Sequence, residues 1–135
     1  MFAINPADPV PIWRQIEEGV RRLINLGALH PGAAVPSMRD LARNLRVNPN
    51  TVARAYTRLI ESGVLMVKRG EGTYVAEQPS QPKKSERHEA LRDGAMRYAS
   101  TATAVGADLD DAVDELQTAF DRIVRENRRI SCRHI

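Results

Sequence analysis

A mainly helical domain with one small β-hairpin, followed by a short helical tail, is the fold class this sequence predicts. Three observations predict it. Apolar residues recur at helical spacing in three successive segments before residue 63. A short run rich in β-branched residues then folds back through a glycine turn between residues 64 and 75. After that the composition shifts to Gln, Pro, Ser and Lys before two further apolar stripes appear.

Asp8-Pro9 and Pro11 punctuate the approach to a first helix, in which Ile12, Ile16, Val20, Leu23 and Ile24 share one face. Gly27 is placed to end it, and a Gly- and Pro-rich loop runs to Pro36. Ser37 caps a second helix, Asp40 adds negative charge to its first turn, and Leu41, Ala42 and Leu45 form its apolar side. Arg46-Val47-Asn48 is the turn that follows. Asn48 caps a third helix with Pro49 at its first position, where the missing N–H does no harm. Val52, Ala55, Tyr56, Leu59 and Ile60 face inward, and Gly63 closes the helix. Val64-Leu65-Met66-Val67-Lys68 and Thr73-Tyr74-Val75 then pair across Arg69-Gly70-Glu71-Gly72. Ile16, Val20, Leu41, Val52, Leu59 and Val67 are the expected core. Three helices and a terminal hairpin make a winged helix-turn-helix.

Residues 77–86 read as a linker, and the tail beyond it as two helices. Leu91, Ala95, Tyr98 and Ala102 line the first, from about Arg87 to Ala104. Gly106 breaks it, and Asp108 caps the last helix, on which Leu109, Val113, Leu116, Phe120 and Ile123 form an apolar stripe continued by Val124. The end, from Asn127 to Ile135, is basic and expected to fray. The domain division is therefore 1–76 for the winged domain, 77–86 for the linker and 87–135 for the tail.

Composition narrows the function. With 135 residues, 42% of them hydrophobic and 4% aromatic, the chain supports a modest core rather than a large enzyme with an enclosed pocket. No stretch approaches the roughly 18–20 apolar residues that cross a bilayer, and the first residues lack a signal-peptide pattern. A single cysteine, Cys132, fits a reducing, cytoplasmic setting. His30, His88 and His134 are scattered without ligand spacing, no phosphate-binding glycine loop or nucleophile motif occurs, and no cofactor, metal or catalytic residue is expected. The acidic run Asp108, Asp110, Asp111, Asp114 and Glu115 is favourable electrostatics at a helix start rather than an acid–base pair.

Charge is concentrated. Residues 1–82 hold ten Arg or Lys against seven Asp or Glu, whereas residues 83–135 hold ten of each. Between residues 39 and 69, Arg39, Arg43, Arg46, Arg54, Arg58, Lys68 and Arg69 face only Asp40 and Glu61. A basic cluster on the second and third helices and the hairpin is the footprint of a polyanion binder, with double-stranded DNA the partner the fold suits. The third helix would enter the major groove with its N-terminal residues leading. Asn48, Asn50, Thr51, Arg54 and Arg58 lie at its start or on its outward face. Arg can take a guanine, and Asn an adenine, through paired hydrogen bonds. Ser37 serves first as a cap, with a phosphate contact as its second role. At the hairpin, Gly70 and Gly72 allow a tight approach to the minor groove, Arg69 and Lys68 reach phosphates, and Thr73 packs in the strand or touches phosphate. Trp13 reads as a core residue of the first helix. A winged domain that docks proteins instead would not need this charge, and no catalytic constellation supports a small enzyme.

The first 76 residues resemble the GntR family of bacterial transcription regulators, in its YtrA-like branch. The resemblance is carried by Pro11-Ile12-Trp13-Arg14-Gln15-Ile16, by Pro31-Gly32 with Val35-Pro36-Ser37-Met38-Arg39-Asp40-Leu41-Ala42, by Val47-Asn48-Pro49-Asn50-Thr51-Val52-Ala53-Arg54-Ala55-Tyr56, and by Arg69-Gly70-Glu71-Gly72-Thr73-Tyr74-Val75. The short tail points to the branch, since larger members carry effector-binding or aminotransferase-like domains. The resemblance implies a homodimeric repressor on an inverted-repeat operator, often of a transporter operon, with Arg39 in contact with DNA. Pro49 and Ala53 stand where many members carry arginine. Two short helices cannot bury the tail's stripe alone, so a second copy of the tail, through Leu109, Val113, Leu116, Phe120 and Ile123, is the expected dimer partner. A small-molecule effector between the tail helices stays open, although so small a tail is expected to lack a pocket of the usual roughly 300–1,000 Å³.

Overall fold

The computed structural model describes residues 2–133, with side-chain surroundings as far as residue 129; His134 and the side chain of Cys132 lie outside the described residues. The elements run α1 (Ile12–Asn25), α2 (Met38–Leu45), α3 (Pro49–Glu61), β1 (Leu65–Lys68), β2 (Gly72–Val75), α4 (Lys84–Ala104) and α5 (Leu109–Arg133). The chain up to Ser80, joined by the stretch from Asn127 onward, forms one compact unit, and Gln81–Glu126 forms another.

In the first unit α3 is central, packed on both α1 and α2. Its buried face is Val52, Ala55, Tyr56 and Leu59, set against Ile16, Val20 and Leu23 of α1 and Leu41 and Ala42 of α2. The helices end as their glycines predict. Gly27 follows α1 in the left-handed conformation (φ 79°), and Ala28 N–H donates to Leu23 O while Gly27 N–H donates to Ile24 O. Gly63 closes α3 in the same way, with Val64 N–H bonded to Leu59 O. These paired bonds satisfy carbonyls that a helix end would otherwise leave open.

Three features lay outside the sequence reading. Gln15 ties the N-terminal arm to α1: its Nε2 donates to Asn5 O and Val10 O at 2.9 Å each, and its Oε1 accepts from Asn5 N–H at 2.7 Å. The Gly/Pro loop is a third, one-residue strand of the hairpin, Ala34 bridging Tyr74, with Val35 N–H donating to Thr73 O and Gly32 N–H to Val75 O. Val67, expected in the core, is 57% exposed. Leu65 pairs with Val75 at the buried root of the hairpin, whereas Val67 pairs with Thr73 farther out, where no helix covers it. Val64 and Leu65 fill the core in its place.

The linker is shorter than expected. Ser80 N–H still donates to Gly63 O, and α4 begins at Lys84 rather than Arg87. Gly106 breaks the helices (φ 79°), and Asp108 caps α5 by accepting from Asp111 N–H at 2.9 Å. Asn127 is buried, and α5 continues to Arg133 where fraying was expected.

Candidate nucleic-acid interface

The geometry of this surface begins with two caps. Ser37 Oγ accepts the Asp40 N–H at 3.1 Å and starts α2, leaving Arg39 exposed in the first turn. Asn48 Oδ1 accepts the Asn50 N–H at 2.8 Å and starts α3. Both side chains are used as caps, yet the serine hydroxyl and the asparagine amide each keep a donor to offer. Between the helices the chain reverses at Arg46, the only non-glycine residue with positive φ among the described residues (φ 57°, ψ 48°). Val47 N–H donates to Ala42 O and closes the turn.

Burial then sorts the two sides of α3. The face of Val52, Ala55, Tyr56 and Leu59 is sealed, and Asn50, Arg54 and Arg58 are exposed with Thr51 half-buried beside them. Tyr56 fixes the helix's placement, its hydroxyl donating to Pro36 O at 2.7 Å, on the loop that leads into α2. Burial pushes its phenol well above the ordinary value of 10.0, so the group stays a neutral donor.

Trp13 departs from expectation. It packs against the core only in part, and its ring carries two guanidinium groups, Arg54 at 4.4 Å and Arg58 at 4.7 Å from the centroid. Arg58 is also held by Glu17, Nε to Oε2 at 3.0 Å, with the Glu17 side chain only 13% exposed. A sequence pattern shows which residues share a helix face but not which aromatic a neighbouring helix lays against it.

The hairpin tip holds the remaining candidates. Glu71 N–H donates to Lys68 O, closing a turn in which Gly70 (φ 77°) and Gly72 (φ 120°) take backbone conformations that side chains resist. Lys68 and Tyr74 lie diagonally across the pair, the ammonium 4.5 Å from the ring centroid. Lys68 is thus engaged locally, while Arg69 stands exposed at the tip. Thr73 is half-buried between the hairpin and the loop strand.

The second unit has a surface of a different kind. Tyr98 OH donates to Ala112 O at 2.7 Å and ties α4 to α5 near their turn, and the helices otherwise touch little. An open apolar groove of about 450 Å³ lies between them, lined by Leu91, Ala95, Tyr98, Val113, Leu116 and Phe120 among others. That is more space than two short helices were expected to frame. Leu109 is 76% exposed and Phe120 64%, and Val113, Leu116 and Ile123 are exposed as well. Among the described residues no group of His, Cys, Asp and Glu is placed to hold a metal ion, and no described helix is long and apolar enough to cross a membrane.

A three-helix core that presents a capped, polar helix face beside a glycine-tipped basic hairpin defines a winged helix-turn-helix domain of the DNA-binding class. Comparison with known proteins narrows the class. Residues 13–75 match the family described as bacterial regulatory proteins, gntR family. The chain is 40% identical over 77 residues to the HTH-type transcriptional repressor YtrA of Bacillus subtilis, covering 57% of this chain and 59% of that one. It is 36% identical over 105 residues to the HTH-type transcriptional regulator Rv1152 of Mycobacterium tuberculosis, covering 76% and 80%. Among solved structures, a transcriptional antiterminator from Listeria monocytogenes superposes with a TM-score of 0.69 at 26% identity over 92% of each chain. YtrA from Sulfolobus acidocaldarius, a GntR-family transcription factor, matches with a TM-score of 0.53 at 30% identity over 90% of this chain and 97% of that one. The DNA-binding domain of AraR in complex with operator ORX1 matches with a TM-score of 0.50 at 28% identity, over 56% of this chain and 93% of that one. The chain spans only 59% of the Bacillus repressor and smaller shares of several larger regulators.

The chain belongs to the GntR family of transcription regulators. Its place within the family is the YtrA-like branch, and the family is not one of enzymes.

Proposed function

We propose that this chain is a homodimeric cytoplasmic repressor that binds an inverted-repeat operator, one copy of α3 entering the major groove of each half-site. The observation that carries the reading is the exposed N-terminal face of α3, where Asn50 and Arg54 project beyond a helix start capped by Asn48. Asn50, Thr51 and Arg54 read base edges. Ser37, Arg39 and Asn48 contact phosphates beside them. Arg69, Gly70, Gly72 and Thr73 bring the wing to the adjacent groove. The AraR domain solved on its operator supports this docking for the shared domain, and the repressor YtrA supports the direction of regulation. The exposed apolar residues of α5 support a second copy as the tail's partner, since patches of this kind mark interaction surfaces. A transporter operon is the target class that the resemblance to the YtrA-like branch favours.

The test uses the tightest duplex selected by the full chain from a random-sequence library. Its affinity should fall linearly on a log–log plot against salt, with a slope of about −0.9 per phosphate neutralised. Arg54→Ala should cost roughly 1–3 kcal/mol and flatten the preference at particular bases, whereas Arg69→Ala should weaken all duplexes about equally. A flat salt response, or an Arg54→Ala loss that is uniform across single-base variants, would overturn the assignment.

A further inference from the structure

We propose that Trp13 is a positioning residue for base readout, holding the Arg54 side chain in its reading conformation while Arg58 is pinned and takes no part in contact with DNA. The inference deepens the proposed function and rests on Arg54 being a base-reading residue.

The two arginines one turn apart on α3 are not equivalent. Both lie over the Trp13 ring, at 4.4 and 4.7 Å. Only Arg58 has a carboxylate, its Nε 3.0 Å from Oε2 of a Glu17 side chain that is 13% exposed. Glu17 is fixed in turn by Arg21, 3.9 Å away, and Arg21 Nη2 donates to Ser62 Oγ at 3.3 Å. The Ser62 hydroxyl donates to Arg58 O at 2.8 Å, so the chain of contacts returns to α3. Arg58 is thereby tied at both its backbone and its head group along the α1–α3 seam. Arg54 has no carboxylate partner among the described residues. Its guanidinium lies over the ring, 4.4 Å from the centroid, with no side-chain hydrogen bond or ion pair among the described residues, which leaves its N–H donors unspent. That is the arrangement a bidentate contact to guanine requires, since the fork must reach the base edge in one plane.

Three consequences follow from the chemistry. A guanidinium stacked on an aromatic face loses little further freedom on binding, so a flexible side chain arrives already ordered. Arg58 and Glu17 neutralise one another, so the second positive charge over the same ring does not push Arg54 away. A ring of any aromatic type supplies the platform, whereas an aliphatic side chain of similar bulk fills the space without it.

The experiment measures binding of Trp13→Phe, Trp13→Leu, Arg54→Ala, Arg58→Ala and the Trp13→Leu/Arg54→Ala double variant. The probes are the duplex selected from a random library, its single-base variants, and poly(dI-dC) as non-specific DNA. Thermal melts identify variants that remain folded, and only those are compared. Trp13→Leu should lose about five- to tenfold on the selected duplex, from ordering one arginine side chain. It should keep its affinity for poly(dI-dC) and its salt slope, and flatten the same base positions that Arg54→Ala flattens. Trp13→Phe should restore most of the loss, and Trp13→Leu should have no further effect once Arg54 is alanine. Arg58→Ala should lower the melting temperature and leave the non-specific salt slope unchanged. If Trp13→Leu weakens selected and non-specific duplexes equally, or adds its full loss to Arg54→Ala, Trp13 acts on the fold and the proposal fails. If Arg58→Ala reduces the salt slope by about one contact, Arg58 touches phosphate and that half fails. If Arg54→Ala itself leaves base preference intact, the failure belongs to the docking reading and takes the positioning role with it. If Trp13→Leu unfolds, Trp13→Phe against Trp13→Tyr decides: either ring must keep the preference of the native protein, and a flattened preference in both overturns the proposal.

Discussion

The two units of this molecule spend their apolar residues in opposite ways. In the first, Ile16, Val20, Leu23, Leu41, Val52, Leu59, Val64 and Val75 are almost wholly removed from solvent, and the charged residues of α1, α2 and α3 stand at its surface. In the second, only Ala102 is buried among the hydrophobic side chains, while Leu91, Met96, Leu109 and Phe120 are each more than 60% exposed. Helix length alone does not make a fold. α4 and α5 are the longest elements of the chain, 21 and 25 residues, yet their apolar face closes over nothing in a single copy. The first unit is complete as one chain. The second has the surface of a component.

The largest effect is expected from making the open surface of α5 polar. Phe120→Asp combined with Leu116→Asp should yield monomers at micromolar concentration by sedimentation and leave the first unit folded. Loss of linkage between half-sites should reduce affinity for a full operator by about 10²–10⁴-fold, while half-site affinity holds. A double variant that stays dimeric would move the interface off the α5 stripe.

A middle-sized effect is expected from loosening the closed unit at its tether. Tyr56→Phe removes the hydroxyl that donates to Pro36 O and leaves that carbonyl without its partner, at a cost of about 1–3 kcal/mol. The same group predicts an alkaline effect. Its folded pKa is raised by burial, so its share of stability is complete below pH 10.0 and is lost as pH rises above that value. Chemical denaturation of the native protein should show this loss on the alkaline side, and Tyr56→Phe should show less of it. An unchanged alkaline slope would mean that Tyr56 does not carry it.

The smallest effect runs in the opposite direction. Arg46 holds a left-handed backbone conformation that glycine adopts at little steric cost, so Arg46→Gly should stabilise the first unit by about 1 kcal/mol in the same denaturation assay. A destabilised variant would show that the arginine side chain supports the turn by more than the strain it imposes.

Local chemistry was legible in the sequence because its signals act over a few residues. The spacing of Ile16, Val20 and Leu23 set the buried face of α1, Ser37 and Asn48 announced the starts of α2 and α3, and Gly27, Gly63 and Gly106 marked the chain reversals. The winged class and the polar face of α3 followed from those signals and from the order of the elements. Other features depended on which surfaces meet. Val67 carries the residue type of a core strand, yet the hairpin carries it beyond the cover of the helices. Ala34 becomes a strand only because Thr73 and Val75 offer it backbone partners. Trp13 has the composition of a core residue, and the packing of α3 on α1 turns it into a platform for two arginines. Sequence by itself determined what each segment does with its own backbone, since hydrogen-bond caps and side-chain period are short-range. Only the tertiary structure decided what each exposed face is near, because that depends on contacts between residues far apart in the chain.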